Sequence, residues 1–166
     1  MLNKTKQFPS SNTSFSFWQN WLFYSSLVIA FTGIIFALCG ASLLFSPYHN
    51  VFARIFWHQP NIPKEVMPFF GFVCGPAGAT IACCYILLAY IAHYPFKRKE
   101  RWARNSIIIA FGGWFIVDSA ISVYYGVYFQ VIILNSLSFL QKALPVIFTW
   151  KHFKINTSSN NGGPLA

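Results

Sequence analysis

Four apolar runs separated by short polar stretches set the pattern of this chain. Residues 21–45 and 67–94 carry no charge, residues 105–125 carry one carboxylate, Asp118, and residues 127–150 carry Asn135 in one half and Lys142 in the other. Each run has about the 20 residues that a helix needs to cross the hydrocarbon core of a bilayer. A chain in lipid must satisfy its own backbone hydrogen bonds, and long runs without period-two alternation do so as helices. The pattern therefore predicts an all-α fold, a four-transmembrane-helix bundle forming one membrane domain over residues 21–150. Residues 1–20 read as a polar N-terminal tail, of which 1–17 are expected to be mobile, and 151–166 as a disordered C-terminal tail. The first run exceeds the 7–15 residues of a signal-peptide core, and Leu38 before Cys39 makes a poor lipoprotein site, so an uncleaved first span is expected.

The connections carry their own signals. Ser46-Pro47 is expected to end the first helix, and Asn105 or Ser106 to cap the third. Between the first two runs, Tyr48, Val51, Phe52, Ile55 and Phe56 recur at helical spacing. That spacing fits a short helix lying in the interface, and equally a loop with buried aromatics. His49 and His58 lie nine residues apart, which is no metal-ligand spacing on one helix, and both are expected at the surface. The run Tyr124-Tyr125-Gly126-Val127-Tyr128 predicts a tight turn rich in interfacial tyrosine.

Composition and charge sharpen the membrane reading. Of 166 residues, 55% are apolar and only 9% charged, whereas about a quarter are charged in soluble domains. The net charge of +9 comes from 12 Lys and Arg against Glu65, Glu100 and Asp118. An excess of that size otherwise suggests nucleic acid, but here the basic residues flank the apolar runs, so no nucleic-acid partner is expected. Lys4, Lys6, the cluster Lys97, Arg98, Lys99, Arg101 and Arg104, and Lys151 and Lys154 fall on one side. Arg54 and Lys64 fall on the other, which puts both termini in the cytoplasm. Cys39, Cys74, Cys83 and Cys84 all sit in apolar runs and read as small hydrophobes, with neither a disulfide framework nor a metal site.

Within the second run, Gly71, Gly75, Ala79 and Cys83 repeat every four residues and predict a helix-packing strip, with Gly78 and Ala82 beside it and Pro76 as a kink. In the third, Asp118, Ser122 and Tyr125 share a helix face. Counting about 1.5 Å per residue from the span ends places Cys39, Cys74, Asp118 and Asn135 at one depth, roughly 10 Å below the outer interface. A carboxylate there costs about 2.5 to 3.5 kcal/mol unless it is neutral, hydrogen-bonded or wet. Two readings follow. Asp118 bonds Asn135 or Tyr125 and locks the last two helices, or it binds a ligand in an outer pocket with Tyr124, Tyr125 and Tyr128 at the mouth. The ligand-binding candidates are Asp118, Asn135, Ser122, Tyr125 and Tyr128. The opposite half offers only Thr80, cysteines and His93, so no continuous polar path is expected within one chain.

No paired carboxylates, GxSxG, HExxH or phosphate loop occurs, and neither a metal nor a cofactor is implied. The function classes left are an accessory or small-ligand-binding membrane protein, and a membrane-embedded enzyme or carrier using Asp118. Expected partners are membrane lipid, a lipid or quinone-like small molecule, and another protein or a second copy of the chain. Two segments carry a resemblance: Ala92-His93-Tyr94-Pro95-Phe96-Lys97-Arg98-Lys99 with Trp102, and Trp114-Phe115-Ile116-Val117-Asp118-Ser119 with Ile121-Ser122 and Tyr124-Tyr125-Gly126. Over roughly residues 45–150 the chain resembles small four-span bacterial membrane proteins of unassigned function. The resemblance implies a bacterial inner-membrane location and transfers no catalytic residue.

Overall fold

Lipid offers no partner to a free N–H or C=O, and the chain answers with helix almost throughout. A computed structural model describes residues 10–153 and has no strand among them. The expected tails at residues 1–9 and 154–166 lie outside the described residues. The helices are α1 (Ser10–Cys39), α2 (Ser46–Phe52), α3 (Met67–Ile91), α4 (Arg101–Tyr124) and α5 (Ser136–Thr149). Wider π-helical turns continue α2 through Ala53–Trp57 and α3 through Ala92–Phe96, and a third, Gln130–Asn135, leads into α5. Four stretches are long and apolar enough to cross a membrane: Thr13–Cys39, Met67–Phe96, Arg101–Tyr124 and Gln130–His152. Their outer surfaces carry large apolar side chains such as Phe31, Leu38, Ile109 and Ile132, as a lipid-facing surface requires.

The four expected spans are these four, with different ends. Helix α1 starts at Ser10, inside what reads as a polar tail, because hydropathy marks the bilayer and not the end of a helix. Helix α4 starts at Arg101, ahead of the expected caps Asn105 and Ser106, and Glu100 is its N-cap. Pro47 opens α2, where its missing N–H costs nothing. Residues 46–57 are helical. His49 departs from its expected surface position: it is 5% exposed, with Nε2 2.5 Å from the Gly40 carbonyl and its ring 5.1 Å from Phe70.

Helices α1 and α3 share the most extensive contact. At its centre the backbones nearly touch. A Cβ on Gly78 would lie 2.8 Å from Ala37 Cα, and one on Gly33 would lie 2.8 Å from the Ala82 nitrogen. The buried face of α3 is Cys74, Gly78, Ala82, Tyr85, Leu88 and Ala89. The seam is therefore rotated from the expected strip: Gly71 and Gly75 lie at its rim, and Ala79 and Cys83 are exposed. Both rows run in four-residue steps of small side chains, so spacing alone does not distinguish them; the close approach of Gly33 and Ala37 on α1 selects the row through Gly78 and Ala82.

Helix α1 also packs on α5, and α4 packs on α5, on Gln130–Asn135 and on Ala92–Phe96. The buried core gathers at the basic-loop end, where Phe15, Phe96 and Phe153 form a ring cluster with centroids 4.9 to 6.2 Å apart. Three cations belong to that end, the first being Lys99, whose Nζ lies 5.0 Å from the Phe15 ring. The Arg104 guanidinium stacks 4.0 Å from the Trp150 ring, and Arg101 Nε donates to the Phe153 carbonyl at 2.8 Å. At the far end Gly126, with φ of +73°, stops α4; the Val127 N–H reaches back to the Ser122 carbonyl at 2.8 Å.

Candidate functional site

Two polar clusters lie inside the bundle. The first is held by the π-helical turn Gln130–Asn135, whose extra residue per turn advances the phase of the fourth span and brings Asn135 against α4. Asn135 is fully buried, and its Nδ2 donates to Asp118 Oδ2 at 2.6 Å and to Ser119 Oγ at 3.1 Å. Its Oδ1 is buried with no hydrogen-bond partner. From α2, Tyr48 comes close enough to feel Asp118 and Cys74. Burial, then those two groups, pushes its phenol pKa up to about 12.

Of the five candidate residues the structure brings Asp118 and Asn135 into contact and adds Ser119, which sequence reasoning passed over. Ser122 is buried one turn further along α4. Tyr125 and Tyr128 are more than half exposed, and the Tyr125 ring meets Phe56 at 6.1 Å, joining the end of α4 to the segment after α2. Cys39 is exposed while Cys74 is buried, and all four cysteines are free thiols.

The second cluster was not expected. Lys142, which reads in sequence as a residue that snorkels to the interface, is 2% exposed. Ten residues separate it from His152, roughly 15 Å of helix, so its amine stays within the bundle. There Nζ donates to Tyr85 Oη at 2.5 Å, to Ser138 Oγ at 2.9 Å and to the Ser138 carbonyl. The rings of Phe111, Tyr85 and Trp114 surround it at 4.5, 4.6 and 5.6 Å. Nearby, Gln141 Nε2 donates to Ser25 Oγ at 2.5 Å, and Ser25 Oγ in turn donates to the Trp21 carbonyl at 2.5 Å. Gln19 Nε2 donates across to the Ala92 carbonyl at 3.1 Å. The half of the bundle read as nearly apolar thus holds several bonded polar groups. A signal was available: Asn135, Ser138, Lys142 and Thr149 stand at steps of three, four and seven, one polar stripe on a helix.

Two surface grooves accompany the clusters. One of about 470 Å³ is lined by Ala41, Lys64, Met67, Pro68 and Gly71, and one of about 300 Å³ runs between α1 and α3. Neither is lined by Asp118 or Asn135. Among the described residues no group of His, Cys, Asp and Glu is arranged to hold a metal ion.

No family model, curated protein or solved structure matches the chain. The functional argument therefore rests on these side chains.

Proposed function

We propose that this is an integral membrane protein of the bacterial inner membrane, with both termini cytoplasmic, acting as an accessory or small-ligand-binding protein. Its ligand site is the Asp118–Asn135 cluster. The observation that carries the reading is the Asn135 Oδ1, a buried carbonyl with no donor, beside a carboxyl group. An unmet acceptor in an apolar interior costs about 1 to 3 kcal/mol. Two neighbouring acceptors call for a molecule that brings donors, such as a hydroxylated lipid or a quinol. The surrounding lipid-facing helices supply such amphiphiles from the bilayer plane.

The same cluster serves the second reading, an enzyme or carrier for a lipid or quinone-like molecule. Asp118 is the one carboxyl among the spans and is half-buried next to Tyr48. That reading requires turnover and the first does not.

Asp118→Asn tests both. The new amide can donate to the Asn135 Oδ1 while accepting from its Nδ2, closing the pair on itself. The variant is expected to fold with unchanged or raised thermal stability and, in native mass spectrometry from mild detergent, to lose a small amphiphile that wild type retains. Equal adducts in both proteins would remove Asp118 from ligand binding and leave the pair as a helix lock.

A further inference from the structure

The 300 Å³ groove between α1 and α3 changes character along its length. Leu27 and Ile86 line its deeper part, and Phe23, Tyr90, His93 and Tyr94 line the part toward the basic loop. From Ile86 to Tyr94 the α3 side covers roughly 12 Å of axis, a slot suited to a chain and not to a compact molecule. Ring contacts fix its wall. Tyr90 stacks on Tyr94 at 5.9 Å, and His93 meets Phe23 at 5.1 Å and Tyr94 at 4.8 Å.

Beyond Tyr94 the chain turns and presents Lys97, Arg98 and Lys99 to the surface. The turn is set by Lys99 in the left-handed region, φ +62°, with the Glu100 N–H reaching back to the Pro95 carbonyl at 3.0 Å. The one carboxylate here, Glu100, is already engaged. It accepts from Trp102 Nε1 at 2.6 Å and lies 3.9 Å from Arg98, the one ion pair among the described residues. Among the described residues Lys97 has no acidic partner, and it follows the groove residue Tyr94 by three positions. The phenols and imidazole at this end of the groove, with the ammonium of Lys97 three residues on, offer the donors that a lipid's ester and phosphate accept.

We propose that this groove binds an anionic phospholipid, with one acyl chain along Leu27 and Ile86 and the phosphate against Tyr94, Lys97 and Arg98. The site lies on the outside of the bundle, shares no residue with the Asp118–Asn135 cluster, and goes beyond the function proposed above. Charge selects the occupant. Each basic residue near the surface favours an anionic lipid by roughly fivefold, and a zwitterionic lipid with the same chains lacks that gain.

The test uses the full chain in detergent, given equal amounts of phosphatidylglycerol and phosphatidylcholine of matched chains, with native mass spectrometry as the readout. Wild type is expected to retain phosphatidylglycerol at least about fivefold more. Lys97→Gln with Arg98→Gln is expected to bring the two lipids to parity. Leu27→Trp, a change at a side chain 42% exposed to lipid, fills the slot and should reduce both adducts with an unchanged melting temperature. Asp118→Asn should leave the preference intact, which separates this site from the interior one. Equal retention by wild type, a preference surviving both groove variants, or full competition by glycerol phosphate would each overturn the proposal; the last would mean a headgroup site without a chain.

Discussion

At Lys142 a primary amine sits in mid-bundle where, among the described residues, it finds acceptors from Tyr85 and Ser138 and a cage of three rings but no carboxylate. Removing such a group and removing its partner should have opposite signs. Lys142→Met keeps the volume and deletes the group that must be desolvated, while Tyr85 Oη keeps Ser138 Oγ at 2.6 Å as a partner. Its thermal stability in detergent is expected to match or exceed wild type, by up to about 1 to 4 kcal/mol. Tyr85→Phe leaves the amine short of an acceptor and is expected to cost about 1 to 3 kcal/mol. If both variants destabilise alike, the amine is held by something other than these bonds. Tyr48 gives a pH dependence. Its folded pKa of about 12 lies above the value of about 10 for an unfolded tyrosine, because burial, then Cys74 and Asp118, disfavours the phenolate. The folded state thus prefers the neutral phenol. That contribution is complete below pH 10 and is lost as pH rises toward 12. Melting temperature should fall across that window in wild type, and the part due to Tyr48 should vanish in Tyr48→Phe.

Helix contacts put the same reasoning on a backbone scale. At Gly78 an added methyl meets Ala37 Cα at 2.8 Å and the Gly33 carbonyl, and neither belongs to a flexible side chain. Gly78→Ala should push α1 and α3 apart and cost about 1 to 3 kcal/mol. Gly113 on α4 has nothing within 4 Å of its Cβ position, so Gly113→Ala should be neutral or stabilise by up to about 1 kcal/mol through helix propensity. Thermal unfolding of the two single variants decides whether the seam is where the structure puts it. Hydropathy made the number and order of spans readable, because it sums over about 20 residues and tolerates single errors. Depth was readable too: counting rise per residue placed Asp118 and Asn135 at one level, and they bond at 2.6 Å. Rotation was not. The strip through Gly71, Gly75, Ala79 and Cys83 is one residue, about 100° of helix rotation, away from the seam at Gly78 and Ala82, and small residues on both faces of α3 give no way to choose. On the fourth span the π-helical turn breaks the regular period before α5 begins, so hydropathy and distance from the span's end do not reveal the buried stripe that holds Lys142.

Across the whole molecule, the two ends of the bundle differ in charge and in packing. The end bearing Lys97 to Arg104 holds the ring cluster and the buried core, while the other is closed by α2 and the turn at Gly126. The proposed orientation follows from the basic residues of the loops and tails alone, since Lys142, buried in the bundle, contributes to neither side. It is checked with single cysteines and a membrane-impermeant maleimide on intact spheroplasts. Cys39, exposed at the very end of its span, is first replaced by serine; the other native thiols lie inside the spans, away from such a reagent. Gln59→Cys, in the exposed segment after α2, should label in intact spheroplasts, and Arg98→Cys only after the membrane is opened. The reverse pattern would place the basic loop outside against the charge rule. The Asp118–Asn135 cluster would then lie near the cytoplasmic surface, and its amphiphile would have to come from the cytoplasmic leaflet and not from the outer one.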